Sequence, residues 1–352
     1  MGRSSCSGAW YNGPMTRIAI NGFGRIGRLL FRELFGKKGF TVVAINDLGD
    51  AGNLAYLLKY DTVYGRFDRE VELAGGMLTV DGKEIKLLQE KDPTKLPWRE
   101  LKIDIVVEST GVFEAFDKAK VHLECGAKRV LLTAPAKDAD SALGKTVLMG
   151  INEEDLKDHV LTSNASCTTN AASPVIQVLS ENPGILKAVL NTVHAYTATQ
   201  SIVDSPTKGT DYRRGRAAAQ NMSPSTTGAA VAVSRVIPSL EGKFDGIAVR
   251  VPVPTGSLAD ITFVTKRPTS VEEINSILTK AAGEPRWKGI LKVSNEQIVS
   301  SDIVGEPYGA VVDLGFTKVI DGDLVKVLSW YDNEFGYVST LIKHIERISD
   351  YL

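Results

Sequence analysis

From Thr16 the chain reads TRIAI, an apolar and β-branched run with the pattern of a buried strand, and it passes directly into NGFGRIG. The period then changes. Ile26, Leu29, Leu30 and Leu34 fall at i, i+3, i+4 and i+8, one apolar stripe of a helix, and Lys37, Lys38 and Gly39 close it with cations and a breaker. TVVAIND is a second buried strand, ending in Asp47. Three more apolar runs, residues 103–110 (IDIVVEST), 128–135 (KRVLLTAP) and 159–164 (HVLTSN), each end in small polar residues, as strands of a parallel sheet do where they present loops to a ligand. The last run delivers the chain to SNASCTTN. Pro174, Val175, Val178 and Leu179 beyond it predict a helix with Ser166 or Cys167 near its cap.

The second half has another rhythm. NTVHAYT, FDGIAVRVPV, LADITFVTKR, GAVVDLGF and LVKVLSWYD are strand-like and separated by turns such as Asp321-Gly322-Asp323, which predicts a mixed or antiparallel sheet. Ser270 with Glu273 predicts a capping box opening VEEINSILTKAAG, and residues 227–237 predict a helix of small side chains. Residues 203–225 are polar, carry Arg213, Arg214 and Arg216 without periodicity, and read as a long ordered loop. Residues 336–351 are helical, with Val338, Leu341, Ile342, Ile345 and Ile348 on a stripe expected to pack back on the first half. The predicted class is α/β, with a second unit of α+β character.

At 352 residues and 43% hydrophobic content the chain is long enough for two domains with real cores. Lys and Arg number 41 against 42 Asp and Glu, so no whole-protein field attracts nucleic acid or an anionic membrane, and small molecules or other proteins are the expected partners. Cys6, Cys125 and Cys167 are too few and too scattered for a disulfide framework or a metal site, which points to a reducing compartment and no metal. No apolar run approaches the roughly 18 residues of a membrane span. Residues 1–14, MGRSSCSGAWYNGP, lack the apolar stretch of a signal peptide and read as an appended tag or disordered extension before a start at Met15, which makes Cys6 a bystander.

Candidate chemistry sits at two places. Gly22, Gly24 and Gly27 have G-x-G-x-x-G spacing between a strand and a helix, and Asp47 ends the next strand twenty residues on from Gly27. That order suits a dinucleotide: glycines admit a pyrophosphate to the backbone, the helix N-terminus meets its charge, and the acid reaches a ribose hydroxyl. The bland alternative is a tight turn without a ligand. The second place is Cys167, ringed by hydroxyls and amides at a helix start, where a thiol pKa is lowered and N–H groups face an oxyanion. Cys125 falls in a helix end and reads as inert. Of four histidines, His122 and His344 lie in charged helical stretches and read as solvated, and His159 reads as a turn residue. His194 ends a β-branched strand beside HAYTATQS, and the residues alone leave it either structural or the partner of the thiol.

SNASCTTN, HAYTATQ, RRGRAAAQN, STTGAA and WYDNEFGY, with INGFGRIGR and AINDL, resemble the phosphorylating glyceraldehyde-3-phosphate dehydrogenases in the same order from Met15 nearly to the end. The resemblance implies a Rossmann domain over residues 15–166 completed by the C-terminal helix within 331–352, a catalytic domain over 167–330, NAD as cofactor, and a cytoplasmic homotetramer. It implies that Cys167 attacks the aldehyde of glyceraldehyde 3-phosphate, that the hemithioacetal loses a hydride to leave a thioester, and that inorganic phosphate releases 1,3-bisphosphoglycerate. His194 resembles the partner that pairs with the thiolate and acts as base. By the same resemblance Thr197 and Arg250 hold the substrate phosphate, and Ser166, Thr168, Thr227 and Gly228 the attacking phosphate. Arg25 and Ile26 match the pyrophosphate turn, Asp47 the adenosine ribose, Lys91 an adenine contact, Thr133 a later loop contact and Asn333 the nicotinamide amide.

Departures from the family pattern are Ala171 for a frequent second cysteine, Lys91 for arginine, Phe335 for tryptophan, and a longer loop at DADSALGKT. Asp47, Leu48 and Pro206 favour NAD over NADP, with Ser205 dissenting. Erythrose-4-phosphate dehydrogenase and aspartate-semialdehyde dehydrogenase share parts of the pattern, although STTGAA argues against the latter. A nucleotide- or partner-binding protein without activity is the alternative of another class, against which Cys167, His194, Arg250 and Asn333 speak together.

Overall fold

The computed structural model of the chain describes residues 15–207 and 209–352. The extension read at residues 1–14, with Cys6, lies outside them. Thr16–Asn21, Phe40–Asn46, Lys83–Leu88, Ile105–Glu108, Arg129–Leu132 and Leu161–Ser163 form parallel neighbours, and numbered along the chain they lie in the order 3-2-1-4-5-6. This is a Rossmann sheet, whose switch point falls between its first and fourth strands. Asn21 stands opposite Glu108 there, so Gly22 and Ser109 leave the sheet side by side. Gly22 has φ +96°, and a Cβ on it would lie 2.5 Å from the Thr110 nitrogen. A Cβ on Gly27 would lie 2.1 Å from the Gly22 carbonyl oxygen, so the helix Arg25–Leu34 seats directly on the turn. It buries Leu29, Leu30 and Leu34 as its stripe requires. The helix Ala51–Lys59 and the antiparallel edge strands Val71–Ala74 and Met77–Val80 are not among the predicted elements. The two edge strands have four residues each, too few for alternation to register.

The second sheet is mixed, in the order Ser223–Thr226, Phe244–Val251, Ile185–Ala195, Ser257–Thr265, Leu324–Tyr331, Ala310–Ile320 and Leu291–Ser294. Its pairs are antiparallel except for Ile185–Ala195 with Phe244–Val251 and Leu291–Ser294 with Ala310–Ile320. Alternate residues such as Leu190, Ile261 and Phe263 are buried, while Val189 and Ile247 project from it with 53% and 54% exposure. The loop expected over residues 203–225 contains a 3-10 turn, Tyr212–Gly215, and the edge strand Ser223–Thr226, whose polar SPST carries no apolar signal. Ser270 caps its helix by accepting from the Glu273 N–H, but the box is half made, because the Glu273 carboxylate turns to Arg267 and Thr269.

The helix Phe335–Ser349 buries Val338, Leu341, Ile345 and Ile348 and packs on the first half, where Arg129 donates to the Tyr351 carbonyl at 3.0 Å. His344 belongs to that buried stripe. It is fully buried between the Thr162 hydroxyl at 3.1 Å and the Asn164 amide oxygen at 3.2 Å, not solvated. His122 is also fully buried. Its Nδ1 accepts the Trp98 indole N–H at 3.1 Å, which leaves Nε2 to donate to Glu108 at 3.0 Å.

Burial pushes His344 down to about 3, so the unfolded chain takes up a proton below its ordinary value of 6.5 while the folded chain does not. Stability should therefore fall as pH drops from 6.5 toward 3, with this residue contributing about 1.4 kcal/mol per pH unit. Urea unfolding at pH 7.5, 6 and 5 measures the slope. His344→Gln should flatten it by that amount, and an unchanged slope would contradict the assignment.

Candidate active site

The strand Leu161–Ser163 ends in a strained residue. Ala165 has φ +53°, held by a bond from its N–H to the Ser163 hydroxyl and one from the Tyr337 hydroxyl to its carbonyl, each 3.0 Å. A left-handed Ala costs about 1–2 kcal/mol, and this turn aims the next two residues. Ser166 caps the helix Cys167–Glu181 by accepting from the Thr169 N–H at 3.1 Å, and Cys167 is the first residue of that helix. His194 reaches it from Ile185–Ala195, with Nε2 3.4 Å from Sγ. The parallel register sets Arg250 opposite His194. Its Nη1 lies 2.6 Å from His194 Nδ1, which is also 2.7 Å from the Ala195 carbonyl. The Tyr331 ring meets the imidazole edge-on at 5.9 Å, and its hydroxyl lies 2.8 Å from those of Thr168 and Thr192.

The expected standing thiolate is not what this enclosure favours. Burial pushes the Cys167 thiol up, although Arg250, the Thr168 hydroxyl and the N–H groups of Thr168 and Cys167 pull the other way. Burial, and then the Arg250 charge, push His194 down to about 3. The wall that supplies the helix terminus also removes water, and desolvation outweighs the dipole. Burial thus works against the charge on both partners, while Arg250 and the helix N–H groups favour the thiolate. For Nε2 to take the Sγ proton, Nδ1 must carry its own and donate it to the Ala195 carbonyl, and Arg250 Nη1, itself only a donor, must then turn from Nδ1 to the same carbonyl, which it already meets at 3.3 Å.

The thiol opens on a cavity of about 780 Å³ between the two sheets. Beside Cys167 and His194 it is lined by Ser166, Thr168, Thr197, Thr227, Gly228 and Arg250. Gly228 caps the helix Ala229–Val236, so two helix N-termini face the same space, an arrangement that suits an anion. The Thr168 hydroxyl is bonded to Tyr331 and the Ser166 hydroxyl to its own cap, which leaves backbone N–H groups as their main offering. Arg250 Nε is buried without a partner among the described residues, an unspent donor at the wall.

The other end of the cavity is lined by Arg25, Ile26, Thr133 and Asn333. Asn333 Oδ1 accepts from the Ser257 and Thr255 hydroxyls at 2.8 and 3.2 Å, so Nδ2 is the donor left for a ligand. The guanidinium of Arg25 is not free for a pyrophosphate, because Asp61 and Glu334 take it from two sides. Its N–H at the start of the helix remains. Gly22, Gly24, Gly27, Asp47 and Lys91 do not line this cavity. Gly24 caps its helix without a side-chain bond, and none of the described residues lies within 4 Å of where its Cβ would be, so backbone can approach a ligand there. Asp47 accepts from the Phe23 N–H at 2.6 Å and the Gly49 N–H at 2.8 Å and thus shapes the glycine turn. Lys91 is exposed.

Sequence reasoning missed Arg214, which lines the cavity and donates to the Thr199 and Ser225 hydroxyls at 2.8 and 3.0 Å. Its only signal was the cluster RRGR. It also missed Glu108, a buried carboxylate that accepts from Asn21, His122 and the Thr110 N–H and so orders the loop at the switch point.

Two family models match the chain, the glyceraldehyde 3-phosphate dehydrogenase NAD binding domain over residues 16–116 and the C-terminal domain of the same family over residues 166–333. The chain is 51% identical to a glyceraldehyde-3-phosphate dehydrogenase of Thermotoga maritima over 337 residues, covering 95% of this chain and 99% of the relative. It is 50% identical to those of Streptomyces coelicolor, over 93% of this chain and 96% of the relative, and Geobacillus stearothermophilus, over 91% and 94%.

Proposed function

The chain belongs to the glyceraldehyde-3-phosphate dehydrogenase family and oxidises glyceraldehyde 3-phosphate with NAD, and we propose that it does so through a thioester on Cys167 that phosphate converts to an acyl phosphate. The observation that carries this reading is the 3.4 Å approach of His194 Nε2 to a cysteine at a helix N-terminus. Sγ adds to the aldehyde carbon as its proton passes to Nε2, and the helix N–H groups stabilise the oxyanion. NAD, when bound, accepts the hydride that converts the hemithioacetal to the thioester. His194 first returns the Sγ proton to the oxyanion, giving the hemithioacetal hydroxyl, and takes it back as the hydride leaves. A phosphate oxygen then attacks the thioester carbon and the Cys167 thiolate leaves.

Arg250 with its unspent Nε, together with Thr197, holds the substrate phosphate in this scheme. Ser166, Thr168, Thr227 and Gly228 hold the attacking phosphate at the paired helix N-termini, with Arg214 beside them. On the cofactor side the uncapped turn at Gly22, Gly24 and Gly27, the N–H groups of Arg25 and Ile26, Thr133 and Asn333 fit pyrophosphate and nicotinamide, while Asp47 takes the ribose and Lys91 the adenine edge. Steady turnover should require phosphate, with arsenate able to replace it. Without either, NADH should appear as one burst per site and then stall, and sustained turnover in phosphate-free buffer would overturn the acyl-phosphate route. The erythrose-4-phosphate and inactive-protein readings are not favoured, since relatives about 50% identical over nearly the whole chain carry the glyceraldehyde-3-phosphate dehydrogenase name.

NAD should be preferred to NADP, because a 2′-phosphate beside the Asp47 carboxylate costs on the order of 1–3 kcal/mol, about tenfold to hundredfold. The ratio of kcat/KM values should fall at least about tenfold in Asp47→Ala. NAD use should suffer too, since the Phe23 and Gly49 N–H groups lose their acceptor. Equal use of both cofactors by the unaltered chain would refute the charge argument.

The division at residues 166 and 167, with residues 331–352 returning to the nucleotide half, is supported by the helix Phe335–Ser349 packing there. A homotetramer is supported by Val189, Ile247 and Val231 projecting more than half exposed near one another and by Ile202, Val203 and Met222, more exposed still, in the long loop. A cytoplasmic site fits the free thiols of Cys125 and Cys167.

A further inference from the structure

Arg25 poses a question. A guanidinium at the start of a helix, on the wall of a dinucleotide cavity, is an obvious ligand for a pyrophosphate, yet two carboxylates occupy it. Nε donates to Glu334 Oε1 at 2.9 Å, Nη2 to Glu334 Oε2, and Nη1 to Asp61. The two acids are largely buried, with 14% and 9% of their side chains exposed, so water competes little. With both carboxylates ionised the cluster carries one net negative charge, so the guanidinium has no cationic charge left over for an anion.

Its contacts lead elsewhere. Asp61 Oδ1 accepts from the Val63 and Tyr64 N–H groups at 2.9 and 3.1 Å and so shapes the turn that presents Tyr64. The Tyr64 ring lies 5.7 Å from the Arg25 guanidinium and 5.8 Å from the Phe335 ring, and its hydroxyl donates to Asp332 at 2.8 Å. Asp332 is fully buried and also accepts from the Thr255 hydroxyl and the Gly305 N–H. Arg25 therefore reaches the segment 332–334 twice, directly at Glu334 and through Asp61 and Tyr64 at Asp332. Between those two acids stands Asn333, whose Oδ1 is held from the opposite side by Ser257 and Thr255.

We infer that Arg25 is a positioning residue for Asn333, setting the amide donor from the nucleotide half through a closed ring of Asp61, Tyr64, Asp332 and Glu334. The inference rests on the proposed role of Asn333 toward nicotinamide. The ring joins the glycine turn to the segment that carries Asn333 across 309 residues of sequence. It fixes Nδ2 relative to the helix Arg25–Leu34, and not only relative to the catalytic sheet.

ADP-ribose separates the possibilities, because it has the pyrophosphate and lacks the nicotinamide. In Glu334→Gln the KM for NAD should rise about tenfold, while the inhibition constant of ADP-ribose stays within twofold of the parent value. Tyr64→Phe, which changes no charge and keeps the ring packed, should move the same pair of values in the same direction by about threefold. The Asn333→Ala chain should likewise lose NAD and keep ADP-ribose. If Glu334→Gln weakens NAD and ADP-ribose alike, the ring only braces the turn and the inference fails. It also fails if Asn333→Ala raises the KM for NAD while Glu334→Gln and Tyr64→Phe leave it unchanged. If Asn333→Ala itself leaves NAD binding intact, the assignment of Asn333 to nicotinamide falls, and the inference with it.

Discussion

Cys167→Ala should lower kcat/KM on the order of 10⁵-fold while NAD affinity stays within about threefold, because in the proposed route the sulfur forms and breaks the bond to the acyl carbon, and it touches no part of the glycine turn. Cys167→Ser should do little better. A hydroxyl in the same enclosure is far less acidic than a thiol that burial already pushes up, and an imidazole pushed down to about 3 is a weak base for it. Chemical labelling gives an independent check. Stoichiometric iodoacetamide should abolish turnover by alkylating Cys167, which has His194 as proton acceptor and opens on the cavity, whereas Cys125 donates to the Pro93 carbonyl at 3.2 Å and does not line it. Loss of turnover with Cys167 unmodified by mass spectrometry would refute the assignment.

His194→Asn should lower kcat by about 10²–10⁴-fold, the usual worth of a placed proton acceptor. The sign of its pH effect follows from the pair. With His194 present the thiol proton has an acceptor at 3.4 Å, and without it the thiol must release the proton to water from a site where burial opposes the charge. Alkylation of Cys167 at pH 7 should slow and recover only at alkaline pH, above the ordinary thiol range of about 8.5. A variant alkylated at pH 7 as fast as the parent would show that His194 does not hold the proton.

Much of this site is legible where local pattern and chemistry coincide. TRIAI, the three glycines and the stripe from Ile26 to Leu34 describe strand, turn and helix together, and Ser166 caps the helix of Cys167 as the hydroxyl-rich stretch predicts. The pull toward a thiolate is legible because a helix terminus is visible in a sequence, whereas the opposing desolvation by distant walls is not. His344 was legible and misread: it lies three residues after Leu341 and directly before Ile345, on the stripe already identified, and the neighbouring charges drew the reading outward. His122 had no such signal, since its partners Trp98 and Glu108 meet it only in the folded sheet. Arg25 is the clearest case. Its sequence position is that of an anion ligand, and only folding brings Glu334 and Asp61 to neutralise it.

The return of the last helix to the first sheet also bears on how the chain is made. Residues 15–166 contain every strand of the first sheet, but Val338, Leu341, Ile345 and Ile348, which cover the flank of that sheet, leave the ribosome about 170 residues later. At roughly 5–20 residues per second the nucleotide half waits about ten to thirty seconds with that flank uncovered. During synthesis that apolar flank therefore stays exposed, and the first half completes its core only when translation is nearly over.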